Sequence, residues 1–285
     1  MSDDDSPRGP SQPSEGPPPL NALAATGWAL GITFLFFVFA VTLAKVRPGS
    51  ELDVVSGVAC QAIAYLAGLF VILRVHAPDA GIRDFLGVRP THWLFYPLAV
   101  ALGLSLQLPA NALYNAVVRW SHDTSKDSFT EVFQAASSPK RAVIALVVIL
   151  VGPVLEEVLF RGALFRPMLK AHPAPVVIGV TATLFAIAHP SVQMYLPIGL
   201  VGLALGMVRW TSGSLVPSVL LHATFNAVPF YSMAAQRPGA PESEGSVPLA
   251  YLLVSCGAVV ILLAAIRLLG SRSQLAGIAR EFDRR

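Results

Sequence analysis

Of the chain's seventeen acidic residues, only Glu156 and Glu157, side by side, lie in a stretch apolar enough for a lipid bilayer. An ionised carboxylate in hydrocarbon costs about 2.5 to 3.5 kcal/mol on insertion scales, so a pair at membrane depth marks a candidate functional site. Residues four apart share a helix face, which lets Arg161 reach back to Glu157 while Glu156 points about 100° away. Glu157 therefore reads as an ionised, structural partner of Arg161. Glu156 has no built-in cation in a low-dielectric setting, and its pKa is expected to rise toward the range of a general base. A buried ion pair that only locks helices together accounts for Glu157 and Arg161 but leaves Glu156 unexplained.

His76, His92, His122 and His172 fall in loops, whereas His189 and His222 fall in or at the end of apolar stretches. His222 shares its helix face with Asn226, one turn on. Taken singly, each of these histidines is explained as a helix-packing hydrogen bonder. Together with an asparagine and a carboxylate pair they point to a polar site. Counted at about 1.5 Å per residue from the nearest turns, Glu157, His189, His222 and Asn226 fall in one layer of the membrane interior.

The elements that must position these residues are membrane helices. The chain is 54% hydrophobic and 13% charged, against about 25% charged for soluble domains, which leaves too few charges to clothe a soluble surface. Runs near the ~20 residues of a spanning helix occur at 22–44, 54–73, 93–118, 142–165, 174–188, 194–208, 214–234 and 247–266. The expected fold is all-α, a polytopic bundle of about eight transmembrane helices. Prolines within the spans are tolerable where neighbouring helices satisfy the freed carbonyls, and those away from span ends predict kinks.

Three regions follow: a Pro- and acid-rich disordered tail over 1–20, a transmembrane domain over 21–270 with the chemistry in 150–230, and a basic tail over 271–285. The acidic start and the 23-residue first apolar run are those of an anchor, not a cleaved signal peptide. With eight spans, thirteen of the twenty Lys and Arg share one side with the termini, which predicts cytoplasmic termini in a multi-pass plasma (inner) membrane protein. The net charge of +3 needs no nucleic acid as partner, since a basic face against anionic lipid explains it. Residues 127–136 predict a short amphipathic helix on the membrane surface, opened by a Ser128/Glu131 capping box. Cys60 and Cys256 read as small packing residues, and the four tryptophans as interfacial ones.

Glu-Glu-x-x-x-Arg at 156–161, Phe-x-x-x-His at 185–189 and His-x-x-x-Asn at 222–226 resemble, in order and spacing, the three signature motifs of the CAAX-processing and bacteriocin-processing (CPBP, or Abi) intramembrane proteases, the type II CAAX prenyl endopeptidases. The resemblance implies an endopeptidase that cuts a membrane-associated protein or peptide. It also implies that Glu156 and His189 activate the attacking water, that His222 and Asn226 stabilise the oxyanion, and that Glu157 and Arg161 hold the helix. CAAX-type C-terminal processing, bacteriocin processing and removal of sorting tags are all compatible with it.

Glu156, His189 and His222 could in principle hold a catalytic zinc. They lack the His-Glu-x-x-His spacing that sets two imidazoles on one helix face, and Asn226 is a better oxyanion donor than zinc ligand, so metal-free catalysis without a cofactor is favoured. A proton-coupled transporter is a second reading, but no second copy of the Glu-Glu motif occurs in residues 1–140. A silent immunity or scaffold protein is a third, and it would have no need of an unpaired Glu156 in lipid.

Overall fold

The computed structural model describes residues 19–49, 53–121, 128–235 and 247–282. Residues 1–18 of the tail expected over 1–20, and His122, lie outside them. The described chain is helical: α1 (Ala22–Val46), α2 (Val54–His76), α3 (Ile82–Leu86), α4 (Phe95–Ser105), α5 (Gln107–Ser121), α6 (Ser128–Ala135), α7 (Ser138–Leu146), α8 (Gly152–Glu157), α9 (Phe165–Met168), α10 (Ala174–Ile187), α11 (Tyr195–Ser212), α12 (Leu215–Ala235) and α13 (Leu249–Phe282). Two π-helical segments, Val147–Val151 and Val158–Leu164, join α7, α8 and α9 into one continuous rod.

Among the described residues five helices are long and apolar enough to cross a membrane, so the expected eight spans are not shown: Ala22–Val46, Val54–His76, Ser138–Met168, Val192–Ser212 and Leu249–Ser271. The other three expected spans fall short for identifiable reasons. Residues 95–121 divide at Leu106 into two shorter helices, α10 has 14 residues, and α12 carries Ser218, His222, Thr224 and Asn226 among its apolar residues. Outward-facing residues such as Phe34, Leu253 and Ile261, each more than half exposed, form the apolar exterior expected of an integral membrane protein. α13 runs on to Phe282, so the backbone of the expected basic tail is helical up to that residue.

Proline places the breaks, and neighbouring helices satisfy what it leaves. Pro109 has no N–H for the carbonyl of Ser105, and the Ser255 hydroxyl of α13 donates to that oxygen at 2.6 Å. Pro229 likewise frees the Phe225 carbonyl, which accepts from Gln107 Nε2 at 2.8 Å. In the first π segment the Gly152 N–H reaches back to Val147 O, a register that sets Pro153 opposite Val148. The Val148 carbonyl accepts instead from Asn226 Nδ2 at 3.0 Å. Each compensation ties two helices together where hydrocarbon offers no other donor.

One end of the bundle gathers several loops. His172 Nε2 accepts from Ala22 N at 2.9 Å, Arg89 Nε donates to Gly213 O at 2.8 Å, and Arg166 donates to the Asp84 carbonyl. Gly87 adopts φ +71 after α3, and the Arg209 guanidinium lies where its Cβ would be, so this turn requires glycine on two counts. At the other end, α6 confirms the expected short helix. It buries Phe133 against Phe230 of α12 (centroids 4.6 Å apart), and Arg141 Nε donates to the Phe133 carbonyl at 3.2 Å.

Candidate active site

Gly152–Glu157 is the α-helical piece between the two π segments. A π turn shifts the side-chain register of everything after it, and such turns concentrate at functional sites. Here they aim both glutamates inward. Glu157 is wholly buried, and its Oε1 accepts from Arg161 Nη1 at 2.9 Å and from His222 Nδ1 at 3.2 Å. Arg161, also wholly buried, gives Nη2 to the Gly202 carbonyl of α11 at 3.0 Å, and its guanidinium carbon lies 4.4 Å from the Phe185 ring centre. A buried ion pair holds only when hydrogen bonds satisfy its remaining valences. Gly202 O and the Phe185 face help supply that satisfaction, the latter as a cation–π contact.

Glu156 differs from its neighbour in exposure, 15% for its side chain against none for Glu157, so a water molecule can reach one and not the other. Its two oxygens have separate partners. Oε1 accepts from Gln61 Nε2 of α2 at 3.0 Å, and Oε2 lies 3.6 Å from His222 Nε2. The His222 imidazole thus stands between the two carboxylates.

His189 ends α10. Its Nδ1 donates to Phe185 O at 2.9 Å, and a carbonyl can only accept, so the neutral ring carries its lone pair on Nε2. Phe185 is the hub of the site: its ring meets the edge of His189 at 5.1 Å, His222 at 5.5 Å and Phe160 at 5.4 Å. Glu156, Glu157, Arg161 and His222 therefore form one connected cluster, and His189 joins it through Phe185. Asn226 lies one turn beyond His222 with one amide N–H given to Val148.

Three contributors escape a reading of the sequence. Gln61 sits in a span whose lack of charge hides a polar group. Phe185 was visible as a motif position but not as the shared ring. Arg209, counted with the charges at the helix ends, is buried, and it donates from Nε to Arg161 O at 2.9 Å and from Nη2 to Leu86 O at 3.2 Å. Among the described residues no three His, Cys, Asp or Glu side chains form a group able to hold a metal ion. Glu156, His189 and His222, the donors considered for zinc, form no such group in this arrangement.

The described helices are those of an integral membrane protein. Residues 138–228, which contain all three motifs, match the family described as Type II CAAX prenyl endopeptidase Rce1-like. That match supports the resemblance to the CAAX-processing proteases over this stretch. It is also similar to an uncharacterized 24.3 kDa protein of Escherichia coli, 29% identical over 174 residues, which covers 56% of this chain and 72% of that protein. No solved structure matches.

Proposed function

We propose that the protein is a metal-free intramembrane endopeptidase in which Glu156, assisted by His189, activates water against a peptide bond of a membrane-associated protein or peptide. The observation that carries this reading is the division of the carboxylate of the partly exposed Glu156, with Oε1 held by Gln61 and Oε2 beside His222. A water delivered to Oε2 gives up a proton to the carboxylate, and the resulting hydroxide adds to the scissile carbonyl carbon. Donors aimed at the developing oxyanion are the remaining Asn226 amide N–H and, when the ring is doubly protonated so that Nδ1–H stays on Glu157, His222 Nε2–H, a type of contribution worth about 2.7 to 4 kcal/mol per donor where measured. Collapse of the tetrahedral species breaks the C–N bond, and the leaving amine takes the proton from Glu156. Glu157 and Arg161 orient His222 and take no proton.

CAAX-type C-terminal processing is the first substrate class to test, with bacteriocin-type peptides and sorting tags as the alternatives. We place both termini on the cytoplasmic side, a reading supported by the gathering of Arg89 and Arg166 with the loops at the end of the bundle that also holds Ala22. Purified protein in lipid nanodiscs, given a farnesylated and an unprenylated C-terminal reporter peptide, should cleave at least one of them, and Glu156→Gln should cleave neither. Full cleavage by Glu156→Gln would remove Glu156 from the base role.

A further inference from the structure

We infer that Gln61 of α2 is a positioning residue for the water-activating carboxylate, so that the active site extends beyond the segment carrying the family motifs. The inference rests on the proposed protease reading. Gln61 lies 95 residues before its partner and outside the matched stretch 138–228. A carboxylate free to turn about its last torsion presents either oxygen to a water molecule. Donation from Gln61 Nε2 to Oε1 at 3.0 Å removes that freedom and leaves Oε2, on the His222 side, as the basic oxygen.

Gln61 is itself held. Tyr65, one turn further along α2, is buried with its ring edge against Phe160 at 6.3 Å, and its hydroxyl lies within reach of the Gln61 side chain. Phe160 in turn packs on Phe185, the ring shared by His189 and His222. One continuous run of contacts therefore connects α2 to both histidines. The competing role for an amide at this depth is simple glue between helices. Glue predicts a loss of stability when the donor is removed, whereas positioning predicts a loss of turnover in protein that remains folded, because small misplacement of a reacting group costs up to about 100-fold in rate.

The test compares wild type, Gln61→Met, Gln61→Leu and Tyr65→Phe in nanodiscs of one lipid composition. Gln61→Met preserves side-chain length and removes the donor; Gln61→Leu guards against a misfolded first variant. On the farnesylated reporter peptide, kcat should fall about 10- to 100-fold with KM unchanged and the thermal transition near that of wild type. Tyr65→Phe should give a smaller fall of the same kind. In parallel, infrared difference spectra against Glu156→Gln isolate the Glu156 carboxylate bands, and Gln61→Met should shift them. Wild-type kcat in Gln61→Met, or a loss matching only its unfolded fraction, overturns the positioning role. Unshifted Glu156 bands overturn it whatever the activity, while a wild type that cuts no reporter but shows the shift counts against the protease reading alone.

Discussion

His222 bridges two consecutive glutamates: its Nδ1 is 3.2 Å from Glu157 Oε1 and its Nε2 is 3.6 Å from Glu156 Oε2. Neighbouring helix residues point about 100° apart, so one imidazole can touch both only if it lies in the angle between them, and α12 delivers it there. The arrangement separates the carboxylates by task, one sealed in an ion pair and the other open to water, and that separation is measurable.

Substitutions at the two glutamates should have opposite signatures. Glu156→Gln should reduce cleavage by about 100- to 10,000-fold, the span usual for loss of a general base, with an unchanged melting transition in nanodiscs. Glu157→Gln and Arg161→Met each strand a wholly buried charge and should destabilise the protein by about 3 to 5 kcal/mol, read as a lowered thermal transition or loss of folded yield. Equal stability losses at 156 and 157 would contradict the division of roles.

Metal dependence gives a second prediction. The site residues form no three-donor group, so protein carried through extensive chelation should retain its cleavage rate, and elemental mass spectrometry should find zinc far below one atom per active chain. Loss of activity on chelation, restored by zinc alone, would require His189 and Glu156 to rearrange around an ion.

How much of this site was legible in the residues depended on the range of each interaction. The Glu157–Arg161 pair could be read directly because residues four apart stay within reach of one another along a helix, here even at the start of a π segment, and His222 with Asn226 for the same reason. The contact between Gln61 and Glu156 could not, because it joins residues 95 apart and an uncharged span looks uniformly apolar. Eight runs looked like spans because hydropathy averages over a window do not register that Pro109 divides one helix at Leu106. Nor does such a window show that the apolar stretch at 174–187 ends with α10 after 14 residues. The role of Arg209 was hidden by its place near a helix end, where cations are ordinarily solvated; only the fold shows it turned inward onto the Arg161 carbonyl.

At the start of α2, the Ser56 hydroxyl donates to Asp53 Oδ2 at 2.6 Å and, with Lys140 at 3.9 Å also contributing, holds the Asp53 carboxyl below its ordinary range. A carboxyl with a lowered folded-state pKa stabilises the fold above its unfolded value, about 3.9, and loses that contribution as pH falls through the folded value. Asp53→Asn should therefore flatten the acid side of the melting-temperature profile below about pH 4 and leave neutral cleavage intact. An identical acid limb in the variant would dismiss this contact as a source of pH dependence.

The proline compensations make the sharpest structural prediction. Gln107→Leu removes the donor to the Phe225 carbonyl and leaves a part-buried acceptor unpaired, at a cost of about 1 to 3 kcal/mol. Pro229→Ala supplies a backbone N–H four residues after Phe225, so in the double variant the helix can satisfy its own carbonyl. The two changes should be non-additive: Gln107→Leu should destabilise markedly in the parent and little in the Pro229→Ala background, a coupling that a double-mutant cycle on melting or denaturant transitions isolates. Asn226→Ala offers the contrast. It strands Val148 O and also removes a proposed oxyanion donor, so Pro153→Ala should restore its stability without restoring cleavage. Full additivity at the Gln107 and Pro229 pair would show that the side-chain amide does not stand in for the missing backbone bond.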